Sequence, residues 1–258
     1  MKNYSVSVIL AVKNRKSFLN RALYSWSIQI YPDYELIIVD DNSEEDLRVA
    51  VWNWNKKIKN LHYHKISSSS DRTPATAWNF GYCQSQGEFV IFTGADLILS
   101  SEYMIQHMIN SYVGRRVSVQ NLFLSRLNTW MLHFIDWKSN PRAIESLPGF
   151  WKYRYWPDID NRGLKIHWEA NITTYLTGQR RCDWEWLGLF REDDTQYTAD
   201  QDIYLREQVL HRTATTVKDV CTYHQWHKRP KIRVGRSRVY ENELQARLID
   251  RANYEGEK

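Results

Sequence analysis

The chain has 258 residues with 43% hydrophobic content, enough to bury one large core or two closely merged lobes, so a disordered chain is excluded. No apolar run approaches the ~20 residues needed to cross a bilayer as a helix, and Val6 to Val12 is too short and too soon followed by Lys13 and Arg15 for a signal peptide. The formal net charge of +5 gathers after residue 225, in His227-Lys228-Arg229-Pro230-Lys231-Ile232-Arg233 and Arg236-Ser237-Arg238, a run that suits phosphates or a solvated tail equally. Cys83, Cys182 and Cys221 are odd in number and lack metal-type spacing, which points to free thiols in a reducing, cytoplasmic setting.

In chain order, the first 125 or so residues alternate β-branched runs with helical stripes, the pattern of βαβ units around a mostly parallel sheet. Val6 to Val12 reads as a buried strand; Leu19, Leu23 and Trp26 give a helix face; Tyr34 to Val39 reads as the second strand, ended by Asp40-Asp41-Asn42-Ser43. Leu47, Val51 and Trp54 supply the next helix stripe, Leu61 to Ile66 a third strand, and residues 67–72 a polar loop. Thr73-Pro74 reads as an N-cap with proline at the first helical position, opening a helix to about Ser85. Glu88 to Thr93 is a further strand stopping at Gly94-Ala95-Asp96; Ser100 is expected to cap a helix through Tyr112; Val117 to Leu124 closes this half.

Residues 126 to 180 show no clear periodicity and are rich in Trp, Arg and Pro, which assigns them to the acceptor side of whatever is bound. Aromatic runs such as Phe150-Trp151-Lys152-Tyr153-Arg154-Tyr155-Trp156 offer stacking surfaces for sugars, bases or a core. Tyr240, Leu244 and Leu248, four apart, mark a last amphipathic helix. The expected division is 1–125 as a nucleotide-sugar-binding half, 126–230 as an acceptor-binding and catalytic half, and 231–258 as a basic helical tail.

In an open α/β sheet, ligands bind beyond the carboxyl ends of the strands. Lys13-Asn14-Arg15, Asp40-Asp41, Asp71-Arg72 and Asp96 each follow a strand directly, and although Asp and Asn favour such turns anyway, together they converge on one edge. There is no Gly-x-Gly-x-x-Gly and no Gly-x-x-x-x-Gly-Lys-Ser/Thr in the first half, so a dinucleotide site and a phosphate-loop NTPase are both unsupported.

The stretches Val6-Ser7-Val8-Ile9-Leu10-Ala11-Val12-Lys13-Asn14-Arg15 and Glu35-Leu36-Ile37-Ile38-Val39-Asp40-Asp41-Asn42-Ser43 resemble the opening of family 2 glycosyltransferases of the GT-A fold. Pro74-Ala75-Thr76-Ala77-Trp78-Asn79-Phe80-Gly81 is similar to that family's helix ending in Arg-Asn-x-Gly, and Gly87 through Leu99 resembles its strand leading to an Asp-x-Asp metal motif. Gly188 to Asp193 resembles its Gly-Gly-Phe-Asp-Glu turn, and Ala199 to Arg206 its Glu-Asp-x-Asp-Leu-x-x-Arg helix start. The resemblance covers about residues 5 to 124 and 176 to 229. It implies a Rossmann-like, mostly parallel sheet flanked by helices and a metal-dependent, inverting transfer of a sugar from a nucleotide-diphosphate donor, UDP above all, to a hydroxyl of a saccharide or glycolipid.

By residue, the resemblance assigns the catalytic base to Asp200, because an inverting transfer needs a carboxylate to take the acceptor hydroxyl proton. It places Val12, Asn14, Arg15, Asp41, Arg72, Asn79, Ala95, Asp96, Lys228 and Arg229 on the donor, and Trp186, Gly188 and Asp202 on the acceptor side. Mn²⁺ or Mg²⁺ is implied, held by Asp96 with His224 or His227 from Tyr223-His224-Gln225-Trp226-His227. The sequence departs from the pattern at Gly94, which stands where the first aspartate should be, and at Trp78, which replaces an arginine. Two alternatives accompany this reading: a DNA acceptor bearing a hydroxylated base, suggested by the basic run, and a non-catalytic nucleotide-sugar-binding module, suggested by Gly94 and Trp78. Contact with a membrane surface is compatible with a chain that lacks a spanning segment.

Overall fold

Val6–Val12 forms β1 at the centre of the parallel part of the sheet, paired on one side with β2 (Tyr34–Asp41) and on the other with β4 (Phe89–Gly94). Its run is buried at every position and apolar except at Ser7, because helices cover both faces, and the pleat divides it between two cores. Val6, Val8, Leu10 and Val12 face one core together with Leu36, Ile38, Phe89 and Ile91; Ile9 and Ala11 face the other with Ile37, Val39, Val90 and Phe92. The first core is covered by α1 (Lys16–Ser27) through Leu19, Ala22, Leu23 and Trp26, and by α4 (Met104–Ser111). The second is covered by α3 (Ala75–Gln84) and α6 (Arg181–Leu187).

The computed structural model describes residues 5–67, 74–150, 175–192, 202–204, 206–207, 210, 212 and 214–228. The remaining elements are α2 (Arg48–Trp52), β3 (Leu61–Ile66), β5 (Leu97–Leu99), β6 (Val117–Phe123), α5 (Arg126–Met131), a 3₁₀ turn (Pro141–Ser146), β7 (Leu176–Arg180) and β8 (Thr215–His224). Strand order is β3-β2-β1-β4-β7-β6-β8-β5. β1 to β4 are mutually parallel, β7 runs against β4 and β6, β8 runs with β6, and β5 runs against β8. The chain therefore moves from β1 through β2 to β3 on one side and reappears as β4 on the other, which creates a topological switch between β1 and β4. Among the described residues no helix is long and apolar enough to cross a membrane.

Gly81 lets α3 lie close against β1. A Cβ at this position would sit 2.4 Å from Ile9 Cγ2 and 3.1 Å from Val39 Cγ2, a contact that only movement of the helix could relieve. Gly81→Ala is accordingly expected to destabilise by about 1–3 kcal/mol from overpacking, despite alanine's better helix propensity, as a lowered thermal midpoint would show.

Several sequence expectations are corrected. Ser100 does not cap α4: Tyr103 occupies that position, and Ser100 Oγ instead accepts the Cys221 N–H at 2.9 Å, continuing the pairing of β5 with β8. Residues 126 to 180, which lack a visible stripe, hold α5, the 3₁₀ turn and β7. α3 begins at Ala75 with Pro74 in the cap position, while Thr73 lies outside the described residues. The tail helix on Tyr240, Leu244 and Leu248, and the aromatic run beyond Phe150, also fall outside them. The three cysteines are free thiols.

Candidate functional site

The loop leaving β1 takes an unusual path. Asn14 and Arg15 both adopt left-handed backbone conformations, with φ of 58° and 66°, each costing about 1–2 kcal/mol for a residue with a side chain. The loop after β2 holds them there. Ser43 Oγ accepts the Asn14 N–H at 2.6 Å, Asn14 Oδ1 accepts the Glu44 N–H at 2.9 Å, and the Glu45 carboxylate accepts the N–H groups of Arg15 and Lys16 at 3.0 and 3.3 Å. Glu45 also places negative charge at the amino end of α1, where the helix dipole favours it.

The result is that the Arg15 side chain crosses the β1/β4 switch. Its Nη1 donates to Asp96 Oδ2 at 3.0 Å, and its Nη2 lies 3.2 Å from His227 Nδ1. Asp96 sits between β4 and β5, almost wholly buried, and its backbone carbonyl accepts the Gln225 N–H at 2.8 Å. His227 Nε2 is 3.1 Å and His224 Nε2 3.6 Å from the same Asp96 Oδ2. Burial pushes the Asp96 carboxyl pKa up, but His224, the His227 hydrogen bond and Arg15 outweigh it and hold the group well below the usual carboxylate range.

The segment that carries both histidines is fixed by neighbours. His224 ends β8, pairs with Leu97 of β5 and Phe123 of β6, and packs its ring on Phe123, Tyr175 and His227. Gln225 is fully buried and its Oε1 accepts Arg21 Nε from α1 at 2.5 Å. Trp226 N–H donates to Thr129 Oγ1 of α5 at 2.8 Å. The donor atoms of Asp96, His224 and His227 lie within 4.8 Å of one another, a set able to hold a metal ion. Two imidazoles and one carboxylate fit Mn²⁺ better than Mg²⁺, which prefers oxygen throughout. Gly94 lets the Asp96 carboxylate lie close against it: a Cβ there would lie 2.9 Å from Asp96 Oδ1 and displace it.

At the end of β2 the two aspartates separate. Asp40 is structural, with Oδ1 accepting the Ser43 N–H at 2.8 Å and Oδ2 accepting the Tyr63 hydroxyl at 2.5 Å. The pleat sends the next residue, buried Asp41, to the opposite face. Val12 and Ala95 are buried at the same strand ends, Ala95 N–H donating to Ala11 O.

A second cluster forms around the turn after α6. Gly188 closes that helix with φ of 93°, and Leu189 follows with φ of 55°. Asn79 clamps the chain on both sides of Phe190: Oδ1 accepts its N–H at 3.1 Å, and Nδ2 donates to its carbonyl and to Glu192 Oε1, both at 2.7 Å. Phe190 packs between Trp78 and Phe92. Arg206 donates to the carbonyls of Leu187 and Leu189 and pairs with buried Asp202. Trp186 is half-buried beneath the Arg212 guanidinium. Asn79 and Asp202 thus support the turn.

The expected donor and metal residues Arg15, Asp96, His224 and His227 are brought together, with Asn14 shaping their loop. Lys228 is exposed directly after His227. Asp200, Arg72 and Arg229 lie outside the described residues. Glu45, Arg21 and Gln225 escaped sequence reading, since each acts on residues remote in the chain.

The family model for glycosyl transferase family 2 matches residues 7–187. Among curated relatives, the chain is 34% identical over 91 residues to a GalNAc(5)-diNAcBac-PP-undecaprenol beta-1,3-glucosyltransferase of Campylobacter jejuni, covering 35% of this chain and 29% of that protein. It is 27% identical over 101 residues to a dolichyl N-acetyl-alpha-D-glucosaminyl phosphate 3-beta-D-2,3-diacetamido-2,3-dideoxy-beta-D-glucuronosyltransferase of Methanococcus voltae, covering 38% and 31%. The chain thus spans less than a third of the length of either relative. In fold it is similar to S. aureus TarS in complex with UDP-GlcNAc, with TM-score 0.63, 14% identity and coverage of 96% of this chain and 72% of that one. It is also similar to the mannosyltransferase PcManGT of Pyrobaculum calidifontis in complex with GDP-Man and Mn²⁺, with TM-score 0.60, 18% identity and coverage of 96% and 70%. A parallel sheet with its switch at β1 and β4, polar strand ends gathered on one edge and a family match over most of the chain lead to one assignment: the chain belongs to glycosyl transferase family 2 and has the GT-A fold.

Proposed function

We propose that the chain transfers a sugar, with inversion, from a nucleotide-diphosphate donor carried by UDP to a hydroxyl of a lipid-linked saccharide. The observation that carries this reading is the convergence of Arg15, Asp96, His224 and His227 at the switch point, where a nucleotide diphosphate meets strand ends in such sheets. Support for the acceptor comes from the undecaprenol- and dolichyl-linked substrates in the names of the two curated relatives. Support for the donor class comes from the UDP-GlcNAc and GDP-Man bound to the two structural neighbours.

The chemistry asks for positive charge where the leaving diphosphate accumulates negative charge. A divalent cation on Asp96, His224 and His227 would supply that neutralisation when bound. Arg15 supplies a second, permanent cation, pre-aimed by the strained Asn14-Arg15 turn. Asp41 lies at the end of β2, where it can meet the nucleoside. Asp200 takes the acceptor proton.

Thermal unfolding with UDP, GDP, TDP and CMP, each with and without Mn²⁺ or Mg²⁺, tests this. At one hundred times Kd a ligand specific for the native state adds about 2.7 kcal/mol, a rise of roughly 5–10 °C for a chain of this size. UDP with Mn²⁺ should give the largest shift, exceeding UDP with Mg²⁺; no stabilisation by any nucleotide would sink the proposal. In the same assay Asp96→Asn should lose the Mn²⁺-dependent part of the shift, with Mn²⁺ affinity reduced about tenfold or more, as for loss of a charged ligand.

A further inference from the structure

α5 has its polarity reversed. On a surface helix the apolar stripe ordinarily faces the core, yet here Asn128 and Thr129 point inward and are 0% and 8% exposed. Asn128 completes a capping box with Ser125 and donates Nδ2 to Pro148 O at 3.0 Å; Thr129 accepts the Trp226 N–H. With the inner face satisfied by polar contacts, Leu127 and Trp130 of α5 and Phe134 of the turn that follows it project outward, 54%, 57% and 68% exposed. The rings of Trp130 and Phe134 lie 4.6 Å apart, and Trp226 joins them, 41% exposed, under the Arg126 guanidinium at 5.6 Å. By contrast Trp26 and Trp184 are fully buried.

Charge completes the pattern. Exposed Arg126 lies over Trp226, and exposed Lys228 follows two residues after that ring. Tryptophan, phenylalanine and leucine rimmed by arginine and lysine match the boundary between lipid headgroups and acyl chains, where aromatic rings settle and cations meet anionic headgroups. The patch is continuous with the site, since the Thr129–Trp226 bond joins α5 to the segment carrying His224 and His227.

We propose that this face of α5 with Trp226 seats the protein on the surface of an anionic bilayer, holding the site beside a membrane-borne acceptor. The inference rests on the lipid-linked acceptor reading for its purpose, but its test is independent of any acceptor. Wild-type protein and a Trp130→Ser/Phe134→Ser variant are sedimented with vesicles of phosphatidylglycerol and phosphatidylethanolamine, or of phosphatidylcholine alone. Both substitutions fall on exposed side chains, so the nucleotide-induced thermal shift should be equal in the two proteins and certifies the fold. Wild type should pellet with the anionic vesicles and much less with the zwitterionic ones, and the variant should bind roughly tenfold less, because lost apolar insertion weakens an attachment that needs both signals. Wild type left in the supernatant, or a variant that pellets equally, overturns the proposal. So does a dimer in sedimentation velocity that the variant abolishes while vesicles are ignored, which would make the patch a protein contact. Vesicle binding lost in the variant together with failure to glycosylate any lipid-linked saccharide would keep the docking surface and refute the acceptor reading alone.

Discussion

Glu207→Ala is expected to be the most destabilising single substitution in the second half of the chain, removing about 3–5 kcal/mol because it takes the bidentate carboxylate from a buried guanidinium. Arg116 has no side-chain exposure and Glu207 almost none. Their contact is bidentate, Nε to Oε1 at 2.6 Å and Nη2 to Oε2 at 2.7 Å, and Arg116 Nη1 also donates to Thr177 Oγ1 at 3.0 Å. The pair joins the residue before β6 and, through Thr177, the start of β7 to Glu207, which follows Asp200 in sequence. Truncating the glutamate removes this bidentate carboxylate from an arginine in a place water does not reach. The thermal midpoint should fall by about 6–20 °C. A double variant, Arg116→Met with Glu207→Leu, should regain most of this loss, because a buried ion pair gains little net over apolar groups of similar volume. Calorimetry on the three variants decides the matter: a single-variant loss below about 1 kcal/mol would mean that the pair is solvated and does not anchor the helix.

The parallel strands were legible because burial on both faces demands continuous apolar runs, so Val6 to Val12 and Tyr34 to Val39 announce themselves without knowledge of their neighbours. Strand ends are legible for the same reason: a polar residue that interrupts such a run, as at Asn14, Asp41 or Asp96, must lie at the sheet edge. α5 was hidden because its buried residues are polar and its exposed ones apolar, which cancels the stripe that periodicity seeks. β5 is only Leu97–Leu99, too short to alternate visibly, and Ser100 was misassigned because its hydroxyl serves a strand partner 121 residues away. That Asp96, His224 and His227 share one point could be anticipated only through the family resemblance, since spacing alone does not bring position 96 to position 227. Arg15 appeared as one polar residue after a strand; its left-handed backbone and its reach to Asp96 depend on Ser43 and Glu45 in another loop.

Asp200→Asn is expected to lower the rate of transfer by about 10²–10⁴, the usual contribution of a positioned general base, while nucleotide binding and its Mn²⁺ dependence stay at wild-type values. The separation follows from when the group acts. A base that takes the acceptor proton interacts with the reacting atoms only as the hydroxyl attacks the anomeric carbon, so its loss lowers kcat without weakening the ground state. On the proposed reading Asp96 would act before that, as a ligand of the cation that neutralises the donor's phosphates, so Asp96→Asn should reduce donor affinity as well as turnover. Asp202, two residues on, offers the rival carboxylate, but it is buried and paired with Arg206, which in turn holds the carbonyls of Leu187 and Leu189. Its carboxylate is committed to Arg206 within the turn. Asp202→Asn should therefore lower the thermal midpoint and raise KM for the acceptor through the loosened turn. Should Asp202→Asn instead abolish transfer at an unchanged thermal midpoint while Asp200→Asn retains activity, the base is Asp202 and the family correspondence at Ala199 to Arg206 is out of register.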